Sequence, residues 1–343
     1  MQMTTAIYFT RLSADEDRCF FPPQSAFIPM VKNALKTLPA ARAIADAYRR
    51  VDGVELSDLF TVDLRNLHAE LPKRYQTGLY ACAALALADQ IGSPIDSVGF
   101  YSGGATAAYL IAGAYDAETY LTKVFLFNRA VRADMAAKGE GQKLAQVLLR
   151  LEPGNDIESD ASTLVAQPRF ADRVFVKDRR QPHSVLMAGY WEDLAYAVEC
   201  LSRAHPEISG ARLYPHRFAA HLPLLDHERL GSILREEWFD APNCDIVGSA
   251  ETAARGTQDR ALLRRVFLDG CVGPMNTGRS MVELAGRASV IHVVGSGHGA
   301  RVLHTLEPRI RDRVQLPPDE AVLEPTGPKL EAENPELELM QHG

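Results

Sequence analysis

The sequence predicts an α/β protein in which a large unit is interrupted by a smaller α+β unit. Three observations carry that reading. Short apolar runs at 5–10, 98–100, 244–247 and 289–294 alternate with longer helical stretches, the pattern of a mostly parallel sheet covered by helices. One of these runs passes directly through Ser102 into a helix of small residues. From about Lys138 the texture changes to closely spaced strands and helices without a long parallel series, and the first pattern resumes near Ala219. The expected organisation is a large unit over 1–138 and 219–316, an insert over 139–218, and a tail over 317–343.

In chain order, residues 5–10 (TAIYFT) read as a buried strand, and residues 11–24 as a polar, proline-bearing loop. Helices are expected over about 28–50 and 73–91; the second is almost all small and apolar, which points to burial on most sides. The strand before Ser102 and the helix after it follow. Asp116 is a candidate N-cap for a helix over 117–137, with Tyr120, Val124, Phe127 and Val131 on one face. Gly139-Glu140-Gly141 breaks that helix. The insert then reads as a helix at 142–151, a strand at 173–177, a turn at 178–183, a strand at 184–188, a helix at 191–204 and a strand at 211–218. Beyond it, helices are expected at 225–238, 259–268 and 279–288, with strands at 244–247 and 289–294. Gly295-Ser296-Gly297-His298-Gly299 leads into a last helix that Pro308 should end. In the tail, five prolines recur and seven acids face the single Lys329, a composition that cannot bury itself and is expected to be disordered.

Composition narrows the function. At 343 residues, 46% apolar and 24% charged, the chain has ample length for a core and the make-up of an ordinary soluble globule. A net charge of −7 provides no basic footprint for nucleic acid or a membrane surface. The five cysteines are scattered and odd in number, with no C-x-x-C pair, as expected of reduced thiols in a cytoplasm. No apolar run reaches the ~18 residues of a membrane span, and the N-terminus lacks the apolar core of a signal peptide. Histidine spacing also gives no metal set: His216 and His221 are five apart, but no carboxylate or cysteine completes them.

The stretch that carries chemistry is Ser97-Val98-Gly99-Phe100-Tyr101-Ser102-Gly103-Gly104-Ala105-Thr106. A strand, a tight turn and a helix form the setting of a nucleophile elbow, whose turn exposes the serine and aims the following amide at a developing oxyanion. As a Gly-x-Ser-x-Gly motif the fit is partial, because Phe100 stands where the first glycine belongs and Gly99 lies one residue early. A serine beside two glycines is also what an ordinary loop offers. A serine hydroxyl needs a neighbouring imidazole to take its proton. Among the ten histidines, His221 stands out, just after the insert in the frame Leu222-Pro223-Leu224-Leu225.

The segment from Phe100 to Leu126 resembles the nucleophile region of the malonyl-CoA:ACP transacylase family, which typically reads GHSLGEYAALVAAGAL against residues 100–115 here. Ser102 falls on the family nucleophile without a gap, and Ala107-Ala108 and Ala112-Gly113-Ala114 keep its small-residue framework. Ala219-Ala220-His221-Leu222-Pro223-Leu224-Leu225 is similar to the family's FHSPLM and places His221 on the catalytic base. Val293-Val294-Gly295-Ser296-Gly297 is similar to its E-V-G-P-G. The resemblance implies an α/β-hydrolase-like large subdomain with a ferredoxin-like insert. It also implies an acyl-Ser102 intermediate, no permanently bound cofactor, and the phosphopantetheine thioesters of CoA and acyl carrier protein as substrates and partners.

The departures from the family pattern bear on specificity. The family's carboxylate-binding arginine lies 25 residues after the nucleophile, a register occupied here by Phe127, with Arg129 two residues on. Two residues turn a helical side chain through ~200°, so Arg129 should not replace it. A malonyl carboxylate buried without a guanidinium would cost several kcal/mol, and Phe127 offers an apolar wall suited to an uncharged acyl chain. Tyr101 replaces the family histidine before the nucleophile. The glutamine loop that builds part of the family's oxyanion hole corresponds to Phe9-Thr10-Arg11-Leu12-Ser13 and has no glutamine, which leaves the Gly103 amide as the expected donor. Asn276 lies near the family segment whose backbone orients the histidine and is carried as a substrate-side candidate. Three readings stay open: an acyltransferase, an acyl-ACP hydrolase of the same fold, and a non-catalytic acyl- or ACP-binding relative.

Overall fold

The computed structural model describes residues 4–9, 24–61, 73–152, 154–208, 211, 213–215, 219–248, 259–294 and 312–315. The tail, the Gly295–Gly299 segment and the loop from Thr10 to Ser13 lie outside them.

Two sheets organise the described chain. The first is parallel. It consists of β1 (Thr5–Phe9), β2 (Ile95–Phe100), β7 (Asp245–Val247), β8 (Val290–Val294) and β9 (Val314–Gln315), in the order β7-β2-β1-β8-β9. Every residue of β1 is buried, as expected of a central strand covered on both faces. The second sheet is antiparallel. It is formed by β3 (Leu144–Arg150), β4 (Val174–Gln181), β5 (Ser184–Tyr190) and β6 (Tyr214–Pro215) in the order β4-β5-β3-β6. Helices α6 (Ile157–Val165) and α7 (Trp191–Ala204) connect its strands, which gives the split β-α-β order.

Around the parallel sheet lie α1 (Gln24–Thr37), α2 (Pro39–Asp52), α3 (Lys73–Ile91), α4 (Ala105–Ile111), α5 (Phe125–Gly139), α8 (His227–Ile233), α9 (Arg260–Val272) and α10 (Thr277–Arg287). The helix expected over 28–50 is two helices, because the chain leaves helical geometry at Leu38 (φ −92°, ψ 121°) and Pro39 starts α2. The helix expected over 117–137 contains a π turn at Tyr120–Val124 before α5 begins. Asp116 caps its start, accepting from Thr119 N at 2.7 Å.

Residues 139–218 differ most from their sequence reading. Residues 144–150 form a strand rather than a helix: Leu, Ala and Gln favour helices, but seven residue pairs with β5 fix this segment in the sheet. The segment 178–183, read as a turn, is mostly strand. β4 continues to Gln181, and only Pro182 and His183 separate it from β5. Its pairing with β5 shifts between Val176 and Asp178 and again between Arg179 and Gln181, the bulges that re-aim side chains. The helix expected over 225–238 divides into α8 and a 3-10 turn at Glu236–Trp238. Among the described residues, no helix is long and apolar enough to cross a membrane.

Close packing beneath β2 explains the displaced glycine. A Cβ on Gly99 would collide with Leu284 of α10 and lie 2.8 Å from Tyr8 Cδ2. Helix and sheet touch here, and only glycine leaves them room. Phe100 points the other way into an aromatic core, its ring 6.1 Å from Tyr109, which also stacks edge-on against Phe267 at 4.9 Å.

Candidate active site

β2 ends on the strand tips of the parallel sheet, the place where open α/β sheets put their ligands. Tyr101 N donates to Phe9 O at 2.8 Å, which ties the end of β2 to β1. Ser102 then adopts φ 53°, a left-handed conformation that non-glycine residues rarely take, and a 3-10 turn at Ser102–Gly104 leads into α4. This strand–turn–helix with a strained serine is the geometry of a nucleophile elbow.

The elbow rests on a directed chain of hydroxyls. Thr106 Oγ1 donates to Gly103 O at 2.9 Å. With its hydrogen engaged there, Thr106 must accept from Thr77, 2.9 Å away. Thr77 in turn accepts from the Tyr120 hydroxyl at 2.9 Å. The π turn therefore places the phenol that begins this chain. Tyr115 adds a bond from its hydroxyl to Thr106 O at 2.8 Å.

His221 is brought to the serine across 119 positions of sequence: its Nε2 lies 2.7 Å from Ser102 Oγ. It is buried and also left-handed, with φ 58°. On the other side of the ring, Nδ1 lies 3.0 Å from Gly273 O. A carbonyl can only accept, so Nδ1 carries the hydrogen and Nε2 is free to accept from the serine hydroxyl. The turn holding His221 is pinned at both ends. Ala219 N donates to Met135 O at 3.2 Å, and Asp134 of α5 accepts from Asp226 N at 3.0 Å and from Arg229 Nη2 at 2.6 Å.

The remaining sequence candidates fall in different places. Gly103 follows the serine in the elbow. Tyr101 is half-buried. Phe127 is fully buried, 6.0 Å from the Phe267 ring, whereas Arg129 on the same helix is exposed. Asn276 is the N-cap of α10; its side chain accepts from Arg279 N at 3.1 Å.

The resemblance pointed to the segment around Asn276 as the backbone that orients the histidine, and the structure puts that contact at the Gly273 carbonyl. Sequence reasoning missed three contributors. Asp178, Arg180 and Thr277 form a buried polar cluster beside Tyr101. Arg180 Nε donates to Asp178 Oδ2 at 3.1 Å, and Asp178 Oδ1 accepts from both Thr277 N (3.1 Å) and Thr277 Oγ1 (2.9 Å). Burial works against the charge of Arg180, but Asp178 and the Tyr101 side chain outweigh it and hold the guanidinium above its ordinary pKa. Burial, followed by the Asp178 carboxylate and Tyr101, pushes the Tyr8 phenol well above its usual value. The available signal was the opposite charges two apart in Asp178-Arg179-Arg180.

Competing chemistry finds little support among the described residues. Burial pushes the thiols of Cys82 and Cys271 up to about 12, and burial with Asp245 and Asp96 does the same for Cys244, so these thiols stay protonated and poorly nucleophilic near neutral pH. No group of three histidine, cysteine or acidic side chains in this set could hold a metal.

No protein-family model and no curated protein sequence matches the chain. Solved structures do. An acyl carrier protein S-malonyltransferase from Vibrio cholerae superposes with a TM-score of 0.64 at 16% identity, covering 91% of this chain and 95% of that one. A malonyl-transacylase solved in complex with a type II polyketide synthase acyl carrier protein gives 0.63 at 18% identity, covering 91% and 94%. The acyltransferase domain from the second module of the salinomycin polyketide synthase gives 0.62 at 20% identity, covering 92% and 68%. The chain has the fold of these acyltransferases, with a parallel sheet and a separate antiparallel sheet.

Proposed function

We propose that this chain is a divergent acyltransferase of the malonyl-CoA:ACP transacylase type, which moves an acyl group through an ester on Ser102 between the phosphopantetheine thioesters of CoA and acyl carrier protein. The observation that carries the reading is the 2.7 Å contact between Ser102 Oγ and His221 Nε2, with the His221 tautomer set by Gly273 O.

In the first half-reaction, Ser102 Oγ attacks the thioester carbonyl while its proton passes to His221 Nε2. In this reading the Gly103 N–H, next after the nucleophile, stabilises the tetrahedral oxyanion. The C–S bond breaks, and the leaving thiolate takes the proton from Nε2. In the second half, the incoming thiol gives its proton to Nε2 and attacks the ester, the C–O bond breaks, and Ser102 regains the proton. In this reading the elbow and base belong to a unit over 1–138 and 219–316, and 139–218 is the insert. Phe127 in the family's arginine register and an exposed Arg129 favour an uncharged acyl group over malonyl.

Intact-mass analysis after incubation with a panel of acyl-CoA and acyl-ACP thioesters tests the proposal. A stable acyl adduct mapped to Ser102 supports transfer. Turnover to free acid without net transfer assigns hydrolysis instead, and an unreactive protein reduces the site to binding.

A further inference from the structure

The antiparallel sheet reaches the reacting pair through one strand. β4 carries two charges into the interior: the Asp178 side chain is 0% exposed and that of Arg180 is 5% exposed. Buried ion pairs are weak devices for stability, since an apolar pair of similar size commonly does as well or better. Their partners suggest a different use. Asp178 receives both donors of Thr277, at the first residue of α10. The four residues before it form the loop that begins with Gly273, the acceptor for His221 Nδ1. The backbones interlock at the same point: Arg179 N donates to Met275 O at 2.9 Å, and Met275 N to Lys177 O at 2.9 Å. A Cβ on Gly278 would have no room against the Arg180 carbonyl, so the two segments are in direct contact. Arg180 lies beside Tyr101, the residue immediately before Ser102.

We propose that Asp178, held by Arg180, is a positioning residue for the Ser102–His221 pair. Asp178 fixes the 273–277 loop so that the Gly273 carbonyl stays on His221 Nδ1. The proposal rests on the acyl-transfer reading of Ser102 and His221 and adds that the pair is in register only while β4 is seated against that loop. A displacement of about 1 Å between reacting groups can lower a rate by roughly 10²-fold, so small losses of seating should be visible.

Three variants test it: Thr277→Val, which removes one donor to Asp178; Thr277→Ser, which restores it; and Asp178→Asn, which removes the carboxylate charge. Two readouts are taken on the full-length protein. The first is labelling of Ser102 by a fluorophosphonate, recorded both as the fraction of reactive sites and as the rate per reactive site. The second is the His221 Nδ1–H signal in spectra of ¹⁵N-histidine-labelled protein. Thr277→Val should lower the rate per reactive site by about tenfold and shift or broaden the His221 signal, Thr277→Ser should restore both, and Asp178→Asn should exceed Thr277→Val. If Asp178→Asn does not fold, the threonine pair decides alone. Reactive sites that keep the wild-type rate and His221 signal, with only their number or melting midpoint reduced, would make the cluster a structural staple and overturn the proposal. Wild-type protein unlabelled at Ser102 counts against the acyl-transfer reading, and the His221 signal then still decides the positioning claim.

Discussion

Ser102 and His221 meet at 2.7 Å, and each does so from a left-handed backbone conformation, φ 53° and φ 58°. Such conformations cost a non-glycine residue roughly 1 kcal/mol or more and persist where surrounding structure imposes them. At Ser102 the imposition is visible in the Tyr101–Phe9 backbone bond on one side and the Thr106–Gly103 bond on the other.

Strain at the nucleophile gives the first prediction. Ser102→Gly should abolish the acyl adduct yet stabilise the fold by about 1 kcal/mol, because glycine takes φ 53° without penalty. Ser102→Ala should abolish the adduct with no such gain, since its Cβ keeps the strain. Urea unfolding of the three proteins makes the comparison, and a Ser102→Gly protein less stable than Ser102→Ala would refute the strained-elbow account.

His221→Ala should slow acylation of Ser102 by orders of magnitude, since the hydroxyl loses its proton acceptor. Single-turnover acylation with one thioester donor measures it. An unaltered rate in that variant would remove His221 from the mechanism.

Packing under the elbow strand gives the next prediction. Gly99→Ala should destabilise by about 1–3 kcal/mol through the clash with Leu284 and Tyr8. Leu284→Ala alone should cost about 2–5 kcal/mol as a buried truncation. Combined, the two changes should cost less than their sum, because the truncation makes room for the new methyl. Simple additivity in the double-mutant cycle would show that the clash is relieved elsewhere.

These cases show what the sequence could and could not disclose. Four of the five parallel strands were legible because each is a short apolar run, whereas β9, only Val314–Gln315, was not; Ser102 and His221 stood out because both sit in segments that resemble a family's motifs. Gly99 was noticed but misplaced in the motif; its reason is a helix, α10, nearly two hundred residues away. The strand at 144–150 hid behind good helix formers, since partner strands rather than local propensity decide it. Asp178 and Arg180 were read as part of a turn between two strands. Only the fold reveals that each is neutralised by the other.

His292 of β8 is buried, and burial lowers its pKa below the ordinary value. The unfolded chain, with histidine near 6.5, therefore binds a proton that the folded chain resists. The stability due to neutral His292 is complete above about 6.5 and is lost as pH falls through the depressed folded value. His292→Gln should flatten that acid limb while leaving the alkaline side unchanged. Unfolding free energies between pH 5 and 8 check it, and an equally steep acid limb in the variant would assign the effect to other groups.

The specificity prediction turns on α5. Phe127 is fully buried against Phe267, and Arg129 on the same helix is exposed. In the proposed reading, where Phe127 bounds the acyl site, a carboxylate there would be desolvated without the arginine of the family register, whereas an alkyl chain would gain about 25 cal/mol for each Å² of apolar surface buried. Acetyl- and hexanoyl-CoA should therefore acylate Ser102 faster than malonyl-CoA. Arg129→Ala should leave that order unchanged, since its side chain faces solvent. Phe127→Arg places a charge in an aromatic core, so it should lower stability as well as slow uncharged donors. Phe127→Leu separates these effects by keeping the site apolar at smaller volume, and it should preserve the discrimination against malonyl. The measurement is the rate of acyl-Ser102 formation for each donor with each protein. Rapid malonylation by the wild type that disappears in Arg129→Ala would show that Arg129 receives the carboxylate, and the case for an uncharged acyl substrate would fall with it.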